Sequence, residues 1–163
     1  MRTLIIAAAL SSLGLATAAH AVPASPIHEY LFDGNLQDSL GGPALQSLGG
    51  VVGAGDYAFL AGKGLILDGA LADGASYSLE LTVRLDQISG FRRLVDFKNG
   101  ASDSGLYSFA ASLSFTPSIF GGPAVFSTSD FTTVLITRDG ATNAVSGYAN
   151  GVSQFSKIGR AHV

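Results

Sequence analysis

Between Ser76 and Leu85 the chain alternates without a slip: Tyr77, Leu79, Leu81, Val83 and Leu85 fall on one side, and Ser76, Ser78, Glu80, Thr82 and Arg84 on the other. An extended backbone turns alternate side chains to opposite faces. The segment therefore reads as a strand with one apolar and one wet face, as in an antiparallel sheet solvated on one side. Beyond the N-terminal segment no window carries a sustained helical period of apolar residues, and Gly, Ser and Ala punctuate the chain throughout. The pattern predicts an all-β fold.

Turn chemistry marks out the remaining strands. They are expected over 27–32, 64–67, 92–98, 106–110, 112–115, 124–126, 131–138 and 145–149, with a weak one at 44–48. Gly41-Gly42, residues 102–105 and Gly121-Gly122-Pro123 separate them. Asn150-Gly151 is the strongest hairpin signal, because a type I′ turn needs positive φ at both central residues. The strand after it starts at Val152.

The two ends read differently from the middle. Residues 1–21 have the form of a secretory signal peptide: Arg2 as the positive start, an apolar run from Leu4 to Leu15, and Ala19-His20-Ala21 as a small-x-small cleavage site, so that the mature chain begins at Val22. That run is broken by Ser11, Ser12 and Gly14 and falls short of the roughly 20 apolar residues that cross a bilayer. At the other end, Ile158-Gly159-Arg160-Ala161-His162-Val163 matches the translation of a common sequencing adapter, whose preceding bases complete the codon of Lys157. On that reading 157–163 is an artefact and the last strand is truncated at Ser156; the other reading is a basic tail.

Charge and cysteine content narrow the partners. The chain has 9 Lys plus Arg against 12 Asp plus Glu; setting aside Arg2, Lys157 and Arg160 leaves 6 basic residues and a net charge of −6. Nucleic acid and anionic membranes are bound by neutralising phosphate with Lys and Arg, so neither is an expected partner. With no cysteine, a secreted chain takes its stability from its core or from a metal rather than from disulfides. Residues 22–156 suffice for one domain with a sizeable core.

Three stretches carry a family likeness: Tyr30-Leu31-Phe32-Asp33-Gly34-Asn35-Leu36-Gln37-Asp38-Ser39, Thr137-Arg138-Asp139-Gly140, and Ser146-Gly147-Tyr148-Ala149-Asn150-Gly151. Together they resemble the concanavalin A-like, laminin-G-type domains of bacterial secreted proteins. The resemblance implies an antiparallel jelly-roll β-sandwich over 22–156, whose last strand pairs beside the first; the strand at 27–32 would then have lost a partner in a truncated chain. The fold implies little about activity, since it hosts lectins, adhesion modules, hydrolases and ancillary domains.

The residues offer few catalytic groups. Outside the two ends His28 is the sole histidine, next to Glu29, and reads as an exposed strand residue rather than a base. Glucanases of the resembled superfamily carry Glu-x-Asp-x-x-Glu along a strand; here Glu29 and Glu80 are the only glutamates, so the two-carboxylate requirement is not visibly met. Asp33, Asn35 and Asp38 place three oxygen ligands in one short loop, which suits calcium, although Asp33 before Gly34 and Asp38 before Ser39 suit backbone turn chemistry equally. A charged cluster runs from Arg92 to Asp103. Its Asp96, Lys98, Asn99 and Asp103, with Tyr107 nearby, read as the rim of a polar ligand site or as an ion-pair network. Within it Arg93 is out of phase with the core-facing Val95 and Phe97, and is expected to pair with a carboxylate at the strand end. Trp is absent, leaving Tyr57, Tyr107 and Tyr148 as candidate sugar platforms.

These readings lead to a secreted, non-catalytic binding or adhesion module, for a polysaccharide or a surface glycoprotein. The alternatives are an ancillary domain of a larger exported carbohydrate-active enzyme and an anchored surface protein.

Overall fold

The computed structural model describes residues 2–5, 25–71, 74–117, 119 and 121–158. The expected cleavage site at 19–21 and the tail from 159 to 163 lie outside them. In chain order the strands are β1 (Arg2–Ile5), β2 (Gln46–Ser47), β3 (Val51–Val52), β4 (Tyr57–Phe59), β5 (Leu65–Ile66), β6 (Tyr77–Arg84), β7 (Phe91–Asp96), β8 (Gly105–Phe109), β9 (Ser112–Thr116), β10 (Thr132–Asp139), β11 (Ala144–Ala149) and β12 (Val152–Ile158). There is no helix among the described residues, and so none that could cross a membrane. All pairings are antiparallel, in a seven-stranded sheet of order β12-β11-β10-β6-β1-β4-β3, a three-stranded sheet β7-β8-β9 and the pair β2-β5.

The alternating segment sits at the heart of the larger sheet. β6 and β10 pair with Leu81 opposite Val134 and Leu79 opposite Ile136, so their apolar positions share one face. β11 and β12 extend that face with Val145 and Phe155, and the smaller sheet answers with Leu106, Leu113 and Phe115. Leu106, Leu113, Val134 and Ile136 are completely buried. Each such side chain contributes about 1.5–3 kcal/mol by leaving water, and the layer between the two sheets is the main core of an all-β sandwich.

The Asn150-Gly151 hairpin forms as expected, with φ of 48° and 77° in the left-handed region. Beyond it the β11–β12 register slips at Gly147/Tyr148, and Phe155 crosses Gly147 to reach the core. A Cβ on Gly147 would stand 2.3 Å from Phe155 Cζ, so only glycine fits there. β12 also continues past Ser156, with Lys157 opposite Val145 and Ile158 opposite Ala144.

Two expected strands are not strands. Residues 27–32 make no ladder: Glu29 is gripped from both sides by a loop, its N–H donating to Asp38 Oδ1 and its carbonyl accepting from Ser39 N–H. Residues 124–126 have a single bridge, Ser112 to Ala124, because the N–H groups of Val125 and Phe126 both donate to Ala111 O and wrap the β8–β9 turn. Tyr30, Phe32, Leu45 and Tyr57 form a second, smaller buried cluster between the 27–32 segment and β4.

The strand that depends on the chain's extreme N-terminus lies elsewhere. Arg2–Ile5 pairs with Tyr57–Phe59 on one side and with Thr82, Val83 and Arg84 on the other, filling a one-strand gap. Removing residues 1–21 would open both edges, and open edges recruit other strands. A chain starting at Val22, the form that signal-peptide cleavage would leave, lacks β1 and is therefore expected to melt lower than the full chain; equal melting would show that β1 does not hold this gap.

Candidate functional site

A cluster of charged and aromatic side chains stands on the outer face of the three-stranded sheet, and a β-bulge sets it off from the core-facing end of β7. β7 and β8 run in step through Phe91↔Phe109 and Arg93↔Tyr107, but the next pair is Val95↔Leu106, so Leu94 is an extra residue on β7. Before the bulge Phe91 and Arg93 point outward with Phe109 and Tyr107. After it Val95 and Phe97 turn inward and pack on the main core, together with Leu94. The phase conflict at Arg93 is thus resolved by the bulge rather than by a position at the strand end.

Arg93 is held on three sides. Its Nη2 donates to Asp103 Oδ1 at 2.7 Å, its Nε donates to Tyr107 Oη at 2.9 Å, and its Nη1 lies 3.2 Å from Asp96 Oδ2. Tyr107 in turn donates to Asp103 Oδ1 at 3.1 Å. Asp103 raises the Arg93 pKa above the ordinary guanidinium value, and the hydrogen bonds from Arg93 and then Tyr107 lower that of Asp103. Burial pushes the Tyr107 phenol up. Asp96 faces two ways: Oδ1 accepts the N–H groups of Lys98 and Gly100 and shapes the turn after β7, while Oδ2 faces Arg93.

Of the five expected ligand residues, the structure therefore gathers Asp96, Asp103 and Tyr107 around Arg93, and places Lys98 and Asn99 in the exposed turn beside them, Asn99 with φ of 51°. The ion-pair reading accounts for the first three. What the sequence did not disclose is the aromatic pair next door. Phe91 and Phe109 stack with centroids 4.3 Å apart, Tyr107 stands edge-on to Phe91 at 6.4 Å, and the two phenylalanines are 50% and 37% exposed. The tyrosines considered as platforms are otherwise placed: Tyr57 and Tyr107 are buried and Tyr148 is half-buried. Two outward phenylalanines facing each other across a hairpin would have been a usable signal had the bulge been foreseen.

The Asp33–Asp38 loop shows turn chemistry. Asn35 Nδ2 donates to Asp33 O and Asn35 Oδ1 accepts from Gln37 N–H. Asp38 is turned inward: Oδ1 accepts from the N–H groups of Glu29 and Leu40, and Oδ2 from Gly42 N–H and from His28 Nδ1 at 2.5 Å. Burial alone would raise its carboxyl pKa; the amides of Glu29 and Leu40, His28 and then Gly42 outweigh it and hold the value at about 2. A Cβ at Gly42 would stand 2.2 Å from Asp38 Oδ2, so the loop also needs that glycine. With both oxygens of Asp38 and the amide oxygen of Asn35 already engaged, Asp33, Asn35 and Asp38 do not fit a calcium shell as folded. His28 is half-buried on Asp38 rather than exposed on a strand, and Glu80, half-buried opposite Leu135, has its pKa raised by burial.

No protein-family model, curated protein or solved structure matches the chain.

The Asp38 pin carries a prediction. Substituting Asp38→Ala leaves several inward donors without an acceptor, and is expected to lower unfolding stability in urea by about 2 kcal/mol or more. A carboxyl held at about 2, below its ordinary 3.8, stabilises fully above the ordinary value and loses that contribution as pH falls toward the folded value. The stability difference between wild type and Asp38→Asn should accordingly shrink between pH 4 and pH 2; a difference that stays constant across this window would show that the charge on Asp38 is not what holds the loop.

Proposed function

We propose that the chain is exported and acts as a non-catalytic, laminin-G-like jelly-roll module that binds glycan at the cell surface or in the extracellular matrix. The observation that supports this reading most is the exposed Phe91–Phe109 stack beside the Arg93–Asp103–Tyr107 network. A pyranose presents an apolar C–H face edged with hydroxyls. Aromatic rings take up the first, and fixed carboxylate and phenol groups satisfy the second. The site stands on a rigid hairpin, so little ordering is needed when a ligand arrives. The signal-peptide pattern at 1–21 and the likeness of 30–39 and 137–151 to laminin-G-type domains support export and the family.

Glycan-array screening followed by affinity electrophoresis tests the reading. Binding to at least one polysaccharide is expected, weakened about tenfold or more by Phe91→Ala, as for a buried anchor residue worth more than about 1.4 kcal/mol. Phe91→Ala should leave the melting temperature nearly unchanged, because the ring is outside the core. Binding that survives in both Phe91→Ala and Phe109→Ala would place the ligand elsewhere.

A further inference from the structure

We infer that this platform takes neutral polysaccharides and rejects polyanionic ones, such as uronate or sulfated chains; the inference rests on the glycan-binding reading above. Arg93 is the cation that shares the outer face with the Phe91–Phe109 pair, one outward position along each strand. It is the group an acidic sugar would need. Two of its guanidinium nitrogens already donate within the protein, Nη2 to Asp103 Oδ1 at 2.7 Å and Nε to Tyr107 Oη at 2.9 Å, and Nη1 lies 3.2 Å from Asp96 Oδ2, an ion-pair contact without a hydrogen bond. One guanidinium among two carboxylates leaves the cluster at a net −1.

The other nearby cations are placed less well. Arg92 pairs with Ser108 on the opposite side of the ladder and donates to Phe91 O and Gln87 Oε1, and Lys98 stands in the turn after β7. By contrast the Asp103 side chain is 73% exposed, so its carboxylate meets whatever settles beside the rings. A carboxylate accepts sugar hydroxyls through charge-assisted hydrogen bonds and repels another acid group. To engage Arg93, an incoming uronate or sulfate would have to displace Asp103 from a short ion pair and bring a third negative charge to the cluster. The chain as a whole, with a formal charge of −3, adds to that opposition.

The test uses the full chain with soluble β-glucan, xylan and galactomannan on one side, and polygalacturonate and heparin on the other, at low and high salt. At low salt at least one neutral polymer should bind about tenfold more tightly than either polyanion, a margin of about 1.4 kcal/mol. High salt should narrow that margin by screening the repulsion. Asp103→Asn and Asp103→Ala, each checked by thermal unfolding, should release Arg93 and shift the ratio toward polygalacturonate by roughly threefold or more. Polyanion binding equal to or tighter than neutral binding, or a ratio unmoved in both folded Asp103 variants, would overturn the charge rule while leaving glycan binding in place. Failure of every polymer to bind the folded wild-type chain would overturn both readings, as would self-association abolished by Phe91→Ala, which would make the patch a contact between copies.

Discussion

One extra residue on β7 decides what the smaller sheet shows to water. Without the bulge at Leu94, strict alternation would place Arg93, Val95 and Phe97 on the same face, and a core that accepted the last two would have to accept a guanidinium as well. Burying an unpaired guanidinium is prohibitive, and exposing Val95 and Phe97 would remove two side chains that pack against the core. With Leu94 inserted, β7 changes phase: Phe91 and Arg93 face out, while Leu94, Val95 and Phe97 face in. The aromatic stack, the ion-pair network around Arg93 and the inner wall of the sandwich all follow from that single shift.

The remainder divides into a part that stabilises and a part that presents. The main core between the sheets and the smaller cluster of Tyr30, Phe32, Leu45 and Tyr57 do the first. Asp38 ties the N-terminal segment to that smaller cluster by converting a buried charge into the acceptor for three amides and an imidazole. Tyr30, with its hydroxyl on Pro43 O and its pKa pushed up to about 12 by burial, belongs to the same fixture. The β7–β8 hairpin does the second, carrying exposed rings on a rigid ladder. Its neighbouring β8–β9 turn holds Ala110 and Ala111 at φ of 47° and 66°, a conformation that alanine adopts only when its surroundings enforce it. Here the carbonyls of Gly90 and Ile88 accept their N–H groups.

Wherever a local rule governed the backbone, the sequence was readable. The alternation at 76–85 became β6 with its apolar side buried, and Asn150-Gly151 made its hairpin. What could not be read depended on partners distant in the chain. Residues 27–32 look like a strand but make no ladder, since Glu29 is bonded to the side chain and backbone of a loop ten residues on and Phe32 sits at φ of 54°. The break between 106–110 and 112–115 was legible and became the β8–β9 turn, although its left-handed Ala110-Ala111 carries no Gly or Asn to announce that conformation. Phe91 and Phe109 are ordinary strand phenylalanines until the outward face of β7 is known, and with Val95 and Phe97 in the core that face depends on a bulge that β-propensity does not encode. For the same reason Asp96, Asp103 and Tyr107 could be grouped from sequence while the platform beside them could not.

The register of β7 against β8 can be observed directly. Solution NMR of the labelled chain should give cross-strand backbone contacts for Phe91 with Phe109 and for Arg93 with Tyr107, followed by Val95 with Leu106, with Leu94 unpaired between them. A regular ladder in which Leu94 opposes Leu106 and Val95 opposes Gly105 would abolish the bulge, turn Val95 and Phe97 out beside Arg93 and Asp96 inward away from it, and contradict the account of how β7 changes phase.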